Sequence, residues 1–269
     1  MKNYSYDSSS HTFVVSAYGE SEYLEECVES IVVQDVPTNL LIATSTPNET
    51  IRRVADKFNV PLYINRNKPG IASDWNFAVS CTDTPLVTIA HQDDIYSKDY
   101  SKHMLDSMNT AVQTPLLFFC NYAELRNGNT VEDNSILRVK RFLLTPLKSN
   151  FLRSQKLIKR GCLSLGSPIC CPSVTYNREA LPNPIFSSPM KCDLDWDSWE
   201  QFSHLNGEFI YSPAILMCHR IHQDSETSAL IEDNTRSFED LEMLKRFWPN
   251  PIAKIINHFY SKSQASNSI

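Results

Sequence analysis

The sequence predicts an α/β fold around a mostly parallel central sheet, and three observations carry that reading. Short apolar runs rich in β-branched residues alternate with stretches of helical periodicity through the first half of the chain. The 269 residues, 42% hydrophobic and 21% charged, suffice for one large domain with a substantial core. An acidic pair in His91-Gln92-Asp93-Asp94 follows the apolar run Leu86-Val87-Thr88-Ile89-Ala90, at the carboxyl end of a strand, where open α/β sheets bind ligands.

Thr12 to Ala17 reads as the first strand and Glu20 to Val33 as the first helix, with Leu24, Val28, Ile31 and Val32 on one face. Leu40 to Thr44 is the second strand. It runs into Thr46-Pro47-Asn48-Glu49, a capping-box pattern with proline at the first helical position. Ile51, Val54, Ala55 and Phe58 then follow at helical spacing. Pro61 to Ile64 is a third strand, Ile71 to Ser80 a helix, and Leu86 to Ala90 the fourth strand. Ser97 to Met108 is helical and Pro115 to Tyr122 a strand. Beyond the turn at Asn127-Gly128 the pattern loosens. Helices are predicted over Asn150 to Lys159 and Asp193 to Leu205, and strands over Ile169 to Tyr176 and Phe209 to His219. Phe238 to Trp248 and Ile252 to Tyr260 form a helical tail, with a frayed polar end.

Several function classes drop out. A net charge of −6 argues against non-specific binding to nucleic acid. With six glycines and neither Gly-x-Gly-x-x-Gly nor a Walker-type loop, dinucleotide and P-loop readings fail. The eight cysteines form no Cys-x-x-Cys pair, so zinc has little support and reduced thiols are expected. No apolar run is long enough to span a bilayer, and the polar start from Met1 to His11 is not a signal peptide. A cytoplasmic location is expected, with peripheral contact at the inner face of a membrane left open.

The acidic pair has two readings. Asp93 and Asp94 repel each other, and a divalent cation bridging to a phosphate makes such a pair tolerable. The plainer alternative is a solvated loop with two helix-capping acids ahead of the segment starting at Ser97.

Phe13-Val14-Val15-Ser16-Ala17-Tyr18-Gly19-Glu20, with Tyr23-Leu24-Glu25-Glu26-Cys27-Val28-Glu29-Ser30-Ile31, resembles the first strand and helix of family 2 glycosyltransferases. The resemblance continues through Asn67-Lys68-Pro69-Gly70-Ile71-Ala72-Ser73-Asp74-Trp75-Asn76-Phe77-Ala78 to His91-Gln92-Asp93-Asp94, which is similar to the acidic motif of the GT-A fold. Leu194-Asp195-Trp196-Asp197-Ser198-Trp199 resembles the segment supplying that family's base, and His219-Arg220-Ile221-His222 its closing Arg-x-His. The pieces keep the family's order from about Thr12 to Tyr260.

The resemblance implies a GT-A, Rossmann-like sheet flanked by helices. It implies a catalytic domain over 1–235, with a nucleotide-binding half near 12–125 and an acceptor half near 126–235, then a helical extension over 236–269. Asp94 would hold Mg²⁺ or Mn²⁺, joined by His222, whose alternative is a surface histidine in a polar turn. Asp93 would contact the ribose or the metal's waters. Ala17, Tyr18 and Glu20 would meet base and ribose, although Glu20 could equally cap its helix. Asp74 and Asn76 would face the donor, or simply cap a helix start. Asp195 would be the general base of an inverting transfer; Asp193, placed as a helix N-cap, and Asp197 compete for that role. Trp196 and Trp199 read first as core. Gly166 to Ser173 resembles a stretch near the acceptor pocket, or is a strand punctuated by proline.

One departure stands out: Ala43-Thr44-Ser45-Thr46-Pro47 replaces the acidic segment that many relatives carry after the second strand. A hydroxyl, with Thr44 the candidate, would have to stand in for that contact. The expected partners are a nucleotide-sugar donor, UDP-linked by preference, and a glycan or lipid-linked acceptor in surface-polysaccharide assembly. The rival readings are a non-catalytic nucleotide-sugar- or glycan-binding protein and a nucleotidyltransferase. The latter usually needs a basic triphosphate loop where Ser16 to Glu20 is acidic.

Overall fold

The computed structural model describes residues 4–68, 70–222 and 235–265. Pro69, within one motif above, and the expected frayed end at 266–269 lie outside them.

The first half is a run of β-α units. β1 (His11–Ala17), α1 (Leu24–Val32), β2 (Asn39–Thr44), α2 (Glu49–Phe58), β3 (Leu62–Ile64), α3 (Ile71–Ser80) and β4 (Leu86–His91) follow in turn. Their strands pair in parallel in the order β3-β2-β1-β4. β1 is buried on both faces and alternates between two cores: Phe13 and Val15 join Leu24, Val28 and Ile31 of α1, while Val14 joins Val79 of α3 on the other side. Val32, expected on the buried face of α1, is exposed, and Cys27 takes its place against the sheet.

A second correction concerns α2. Its N-cap is Asn48, whose Oδ1 accepts from the Ile51 N–H at 2.9 Å, so Pro47 precedes the helix. Thr46, expected as the cap, instead accepts the Gly19 N–H at 2.6 Å, while Asn48 Nδ2 donates to the Gly19 carbonyl at 2.7 Å. The loop after β1 is thereby tied to the start of α2. Gly19 needs its φ of +62° for this turn.

The second half is mixed. β5 (Ile95–Tyr96), α4 (Tyr100–Asn109) and β6 (Pro115–Arg126) lead through Asn127-Gly128, both at positive φ, into β7 (Asn129–Val131), giving the hairpin that the turn predicts. Helix α5 (Ser135–Leu144) was not expected; Asn134 caps it by accepting from the Ile136 and Leu137 N–H groups. The predicted helix over 150–159 resolves into a short 3₁₀ turn, Leu152–Ser154, and α6 (Lys156–Cys162). The strand predicted from Ile169 shrinks to β8 (Thr175–Asn177), because Pro172 sits in the first turn of a 3₁₀ helix at Cys171–Ser173. α7 (Leu194–Ser203), β9 (Glu208–Ile221), α8 (Thr235–Lys245) and α9 (Asn250–Ala265) complete the chain.

Beyond β4 the sheet order runs β8-β6-β9-β5, with β7 on β6. β8 is antiparallel to both neighbours, and β9 is parallel to β6. Trp196 and Trp199 are fully buried, as their core reading expects, in the cluster that also holds Met243, Leu244 and Ala253 of the last two helices. None of the eight cysteines is in a disulfide. No helix among the described residues is long and apolar enough to cross a membrane.

Candidate active site

Three chain segments converge beyond the carboxyl ends of β1 and β4. β4 ends in His91, Gln92-Asp93-Asp94 turns, and β5 follows at once. β9 pairs with β5 through Cys218 opposite Ile95, which carries His219, Arg220 and His222 back over the acidic pair. Register across the sheet thus joins residues about 125 apart in sequence.

Asp94 is fully buried. Its Oδ1 accepts from His219 Nδ1 and from the Arg220 N–H, each at 2.9 Å. Its Oδ2 is buried with no hydrogen-bond partner. Such an orphaned oxygen is costly without a cation or donor. Asp93 Oδ2 pairs with His222 Nε2 at 2.9 Å, and Arg220 Nε donates to the Asp93 carbonyl at 2.9 Å. Burial opposes ionisation of Asp93, but His222 and the charges of His91 and His219 outweigh it and hold the carboxyl below its usual value. The Arg220 guanidinium also reaches Glu26 at 2.5 Å and lies 4.2 Å from the Tyr23 ring centre.

Whether a divalent cation fits can be judged from these donors. One ligand atom from each of His91, Asp93 and Asp94 lies within 4.8 Å of the others. His91 Nε2 is buried and unpartnered, like Asp94 Oδ2. Oxygen with one imidazole suits Mn²⁺ and tolerates Mg²⁺ with waters. The residues fit. His222, expected as a ligand, lies beside the pair, with its Nε2 2.9 Å from Asp93 Oδ2. His91, at the head of the motif, offers the third ligand atom, and its ring stacks on Trp75 at 5.4 Å.

The nucleotide-side residues divide. Gln92 clamps the Tyr18 backbone, accepting its N–H at 3.0 Å and donating to its carbonyl at 2.8 Å. The exposed Tyr18 ring and buried Ala17 are therefore fixed beside the acidic motif. Asp74, from the first turn of α3, receives Ser45 Oγ at 2.9 Å and Asn65 Nδ2 at 2.8 Å. A carboxylate is thus delivered to the ends of β2 and β3, where the sequence lacks one. Thr44 is buried, and its hydroxyl accepts the Thr46 N–H at 3.0 Å; Ser45 is the hydroxyl turned toward the acid. Asn76 is corrected: its amide grips the Phe186 backbone from both sides, at 2.7 and 3.0 Å, and so shapes the wall behind Trp75. Glu20 lines a shallow surface depression with Glu22, Glu25 and Arg53, between α1 and α2.

The second acidic group starts α7. Asp193 occupies the N-cap position without a side-chain cap; burial, then the neighbouring Asp240, raises its pKa far above the carboxylate range. Asp197 is buried and committed to Arg246 and Gln201; although burial opposes it, the Arg246 hydrogen bond holds it ionised. Asp195 lies between them, partly exposed. Burial pushes its carboxyl up to about 6, against the Trp196 N–H and the charges of Arg236 and Lys140. Glu239 of α8 accepts the backbone N–H groups of Lys191, Cys192 and Asp193 and so anchors the start of α7. Neither Glu239 nor Lys140 was singled out in the sequence. Both act across more than forty residues or from an unforeseen helix, and the Asn134 cap was the one local signal for the latter.

Residues 12–180 match the family described as Glycosyl transferase family 2. No curated protein matches the sequence. Among solved structures, the mannosyltransferase PcManGT from Pyrobaculum calidifontis, in complex with GDP-Man and Mn²⁺, superimposes with a TM-score of 0.60 at 17% identity, covering 96% of this chain and 70% of that one. S. aureus TarS 1-349 in complex with UDP-GlcNAc gives 0.58 at 14% identity, covering 92% and 70%. Glucosyl-3-phosphoglycerate synthase from Mycobacterium tuberculosis, in complex with Mn²⁺, UDP and glucosyl-3-phosphoglycerate, gives 0.53 at 17%, covering 88% and 80%. Over more than half its length, and with its acidic motif at the end of β4, the chain belongs to glycosyl transferase family 2 and has the GT-A fold.

Proposed function

We propose that this protein is an inverting, metal-dependent transferase that moves a sugar from a nucleoside-diphosphate donor, UDP-linked by preference, to a glycan or lipid-linked acceptor. The observation that carries the reading is Asp94: one oxygen held by His219 and Arg220, the other buried and unpartnered beside the unpartnered His91 nitrogen.

Mn²⁺ or Mg²⁺ bound by Asp94, Asp93 and His91 would neutralise charge growing on the departing diphosphate. The chain's own groups do the rest. Arg220 and His219 keep Asp94 oriented, and His222 does the same for Asp93. Tyr18 offers its ring to the nucleobase, with its backbone fixed by Gln92. Asp74, presented by Ser45 and Asn65, accepts a base N–H in place of the acid missing after β2. Asp195 takes the proton from the acceptor hydroxyl as that oxygen attacks the anomeric carbon, while the bond to the diphosphate oxygen breaks and its electron pair leaves with the diphosphate. Its carboxyl, raised to about 6, is mostly ionised at neutral pH yet more basic than an ordinary aspartate. Burial and Asp240 push the Asp193 pKa upward and Asp197 is bound to Arg246, which disfavours both as the base.

The test is a thermal-shift series with UDP, GDP, dTDP and CDP, each with and without Mn²⁺. A nucleotide at about 100 times its Kd stabilises the fold by about 2.7 kcal/mol. The reading expects a shift for one nucleotide that requires the metal. Metal-independent shifts, or none, would overturn it.

A further inference from the structure

The 31 residues from Ser135 to Leu165 carry eight Lys or Arg and no Asp or Glu, in a chain whose net charge is −6. The same stretch holds Val139, Phe142, Phe151 and Leu157, all exposed, with Phe142 77%, Phe151 74% and Leu157 85% accessible. Single exposed apolar side chains are ordinary. A run of them among cations is not, even though Arg138 and Arg141 pair with Asp133 just ahead of the stretch.

The cations divide by direction. Arg153 pairs with buried Glu208 at 2.6 Å, Lys159 donates to the Leu205 and Gly207 carbonyls, and Arg160 reaches Glu200 at 3.1 Å. These inward contacts fasten the segment to the body of the protein. Lys148 and Lys156 are exposed and lie between the apolar residues in sequence. α5, the 3₁₀ turns at Thr145–Lys148 and Leu152–Ser154, and α6 contact one another in succession, so the segment is one contiguous region of the protein.

The geometry points to this surface as a docking face for an anionic lipid bilayer. Exposed phenylalanine and leucine enter the boundary between headgroups and acyl chains, and the lysines meet anionic headgroups. An acidic protein surface would satisfy the lysines but would not call for side chains as exposed as Leu157 and Phe142. The face also adjoins the active site. Lys140, next to Val139 on α5, turns inward to Tyr122 Oη at 2.8 Å, and the Tyr122 ring meets His219 edge-on at 6.2 Å. A bilayer held here would bring a membrane-borne acceptor to the cleft. That consequence rests on the transferase reading; the docking does not.

Flotation of the full chain with vesicles tests it. Vesicles with about 30 mol% phosphatidylglycerol should carry the protein at about 50 mM salt and release most of it at about 500 mM. Phosphatidylcholine vesicles should carry little. Phe142→Ser with Leu157→Ser should weaken binding at least about tenfold without changing the melting temperature, since both side chains are already in water. Lys148→Glu with Lys156→Glu should do the same. No flotation at low salt, equal binding to neutral vesicles, or full binding by either double variant overturns the proposal. Concentration-dependent dimerisation of the wild type, abolished by the apolar variant, would assign the face to a second copy and likewise overturn it. A chain that floats but shows no nucleotide response keeps this surface and loses the transferase reading.

Discussion

Two acidic clusters lie in this molecule, and their surroundings oppose each other. At the end of β4, Asp93 and Asp94 are surrounded by donors: His219, His222, the Arg220 backbone and the Arg220 guanidinium. For Asp93 those partners outweigh burial and hold the carboxyl below its usual value, which suits a cation ligand. At the start of α7, burial of Asp195 outweighs its own helix's Trp196 N–H and the charges of Arg236 and Lys140, and the carboxyl is lifted to about 6. A group meant to take a proton benefits from that. On the proposed reading the neighbours of Asp195 are disfavoured by opposite means: burial and Asp240 push the Asp193 pKa up, while Asp197 is committed to Arg246.

The largest expected effect breaks the comparison at its basic end. Asp195→Asn should lower the transfer rate by about 10³-fold while donor affinity, measured by calorimetry, changes little; loss of binding together with activity would move Asp195 into the donor site. The same variant should be more stable. A carboxyl whose folded pKa exceeds its unfolded value favours the native state below the unfolded pKa, near 4, and loses that contribution as pH rises through about 6. At pH 7.5 removal of the charge should therefore raise the melting temperature by about 2–4 °C. Asp94→Asn acts at the other cluster. It should cut Mn²⁺-dependent donor affinity by about 100-fold; undiminished affinity with Mn²⁺ would remove Asp94 from the metal site.

Two smaller effects sharpen the contrast. With Asp195 as the base, kcat should climb about tenfold per pH unit up to about 6 and then level off. Arg236→Gln removes a nearby positive charge and should move that midpoint upward by a fraction of a unit, read from the pH profile alone. His11 gives a purely structural control. It is buried between Thr38 and Thr88, at 2.9 and 2.8 Å, and burial lowers its pKa to about 3. Its contribution is present above pH 6.5 and lost as pH falls, by roughly 1 kcal/mol per unit, until about pH 3. Urea titrations of His11→Asn should lack that part of the acid dependence.

The first half of the fold was legible because its strands are buried on both faces and its helices carry one apolar stripe, both local patterns. The acidic motif was legible for the same reason. Contacts that cross the sheet left weaker traces. Nothing near Gln92 announces that it will grip Tyr18, and Asn76 looks like a donor contact until Phe186 is placed beside it. α5 was missed although Asn134 caps it, because Arg138, Lys140 and Arg141 blur its apolar face. Pro172 looks like strand punctuation in the sequence but lies inside a 3₁₀ turn. The acid missing after β2 was a correct observation with an incomplete meaning, since Asp74 arrives there from the following helix through Ser45.

The pairing of β9 with β5 has a consequence for how the protein is made. Synthesis delivers Asp93 and Asp94 well before His219, Arg220 and His222, and β9 cannot settle beside β6 and β5 until it has left the ribosome. A nascent chain that stops near Leu205 therefore holds the acidic pair without the residues that orient it. On the proposed reading, competence for metal and donor is acquired only after β9 has emerged, so a chain stopped before it would not sequester a nucleotide sugar.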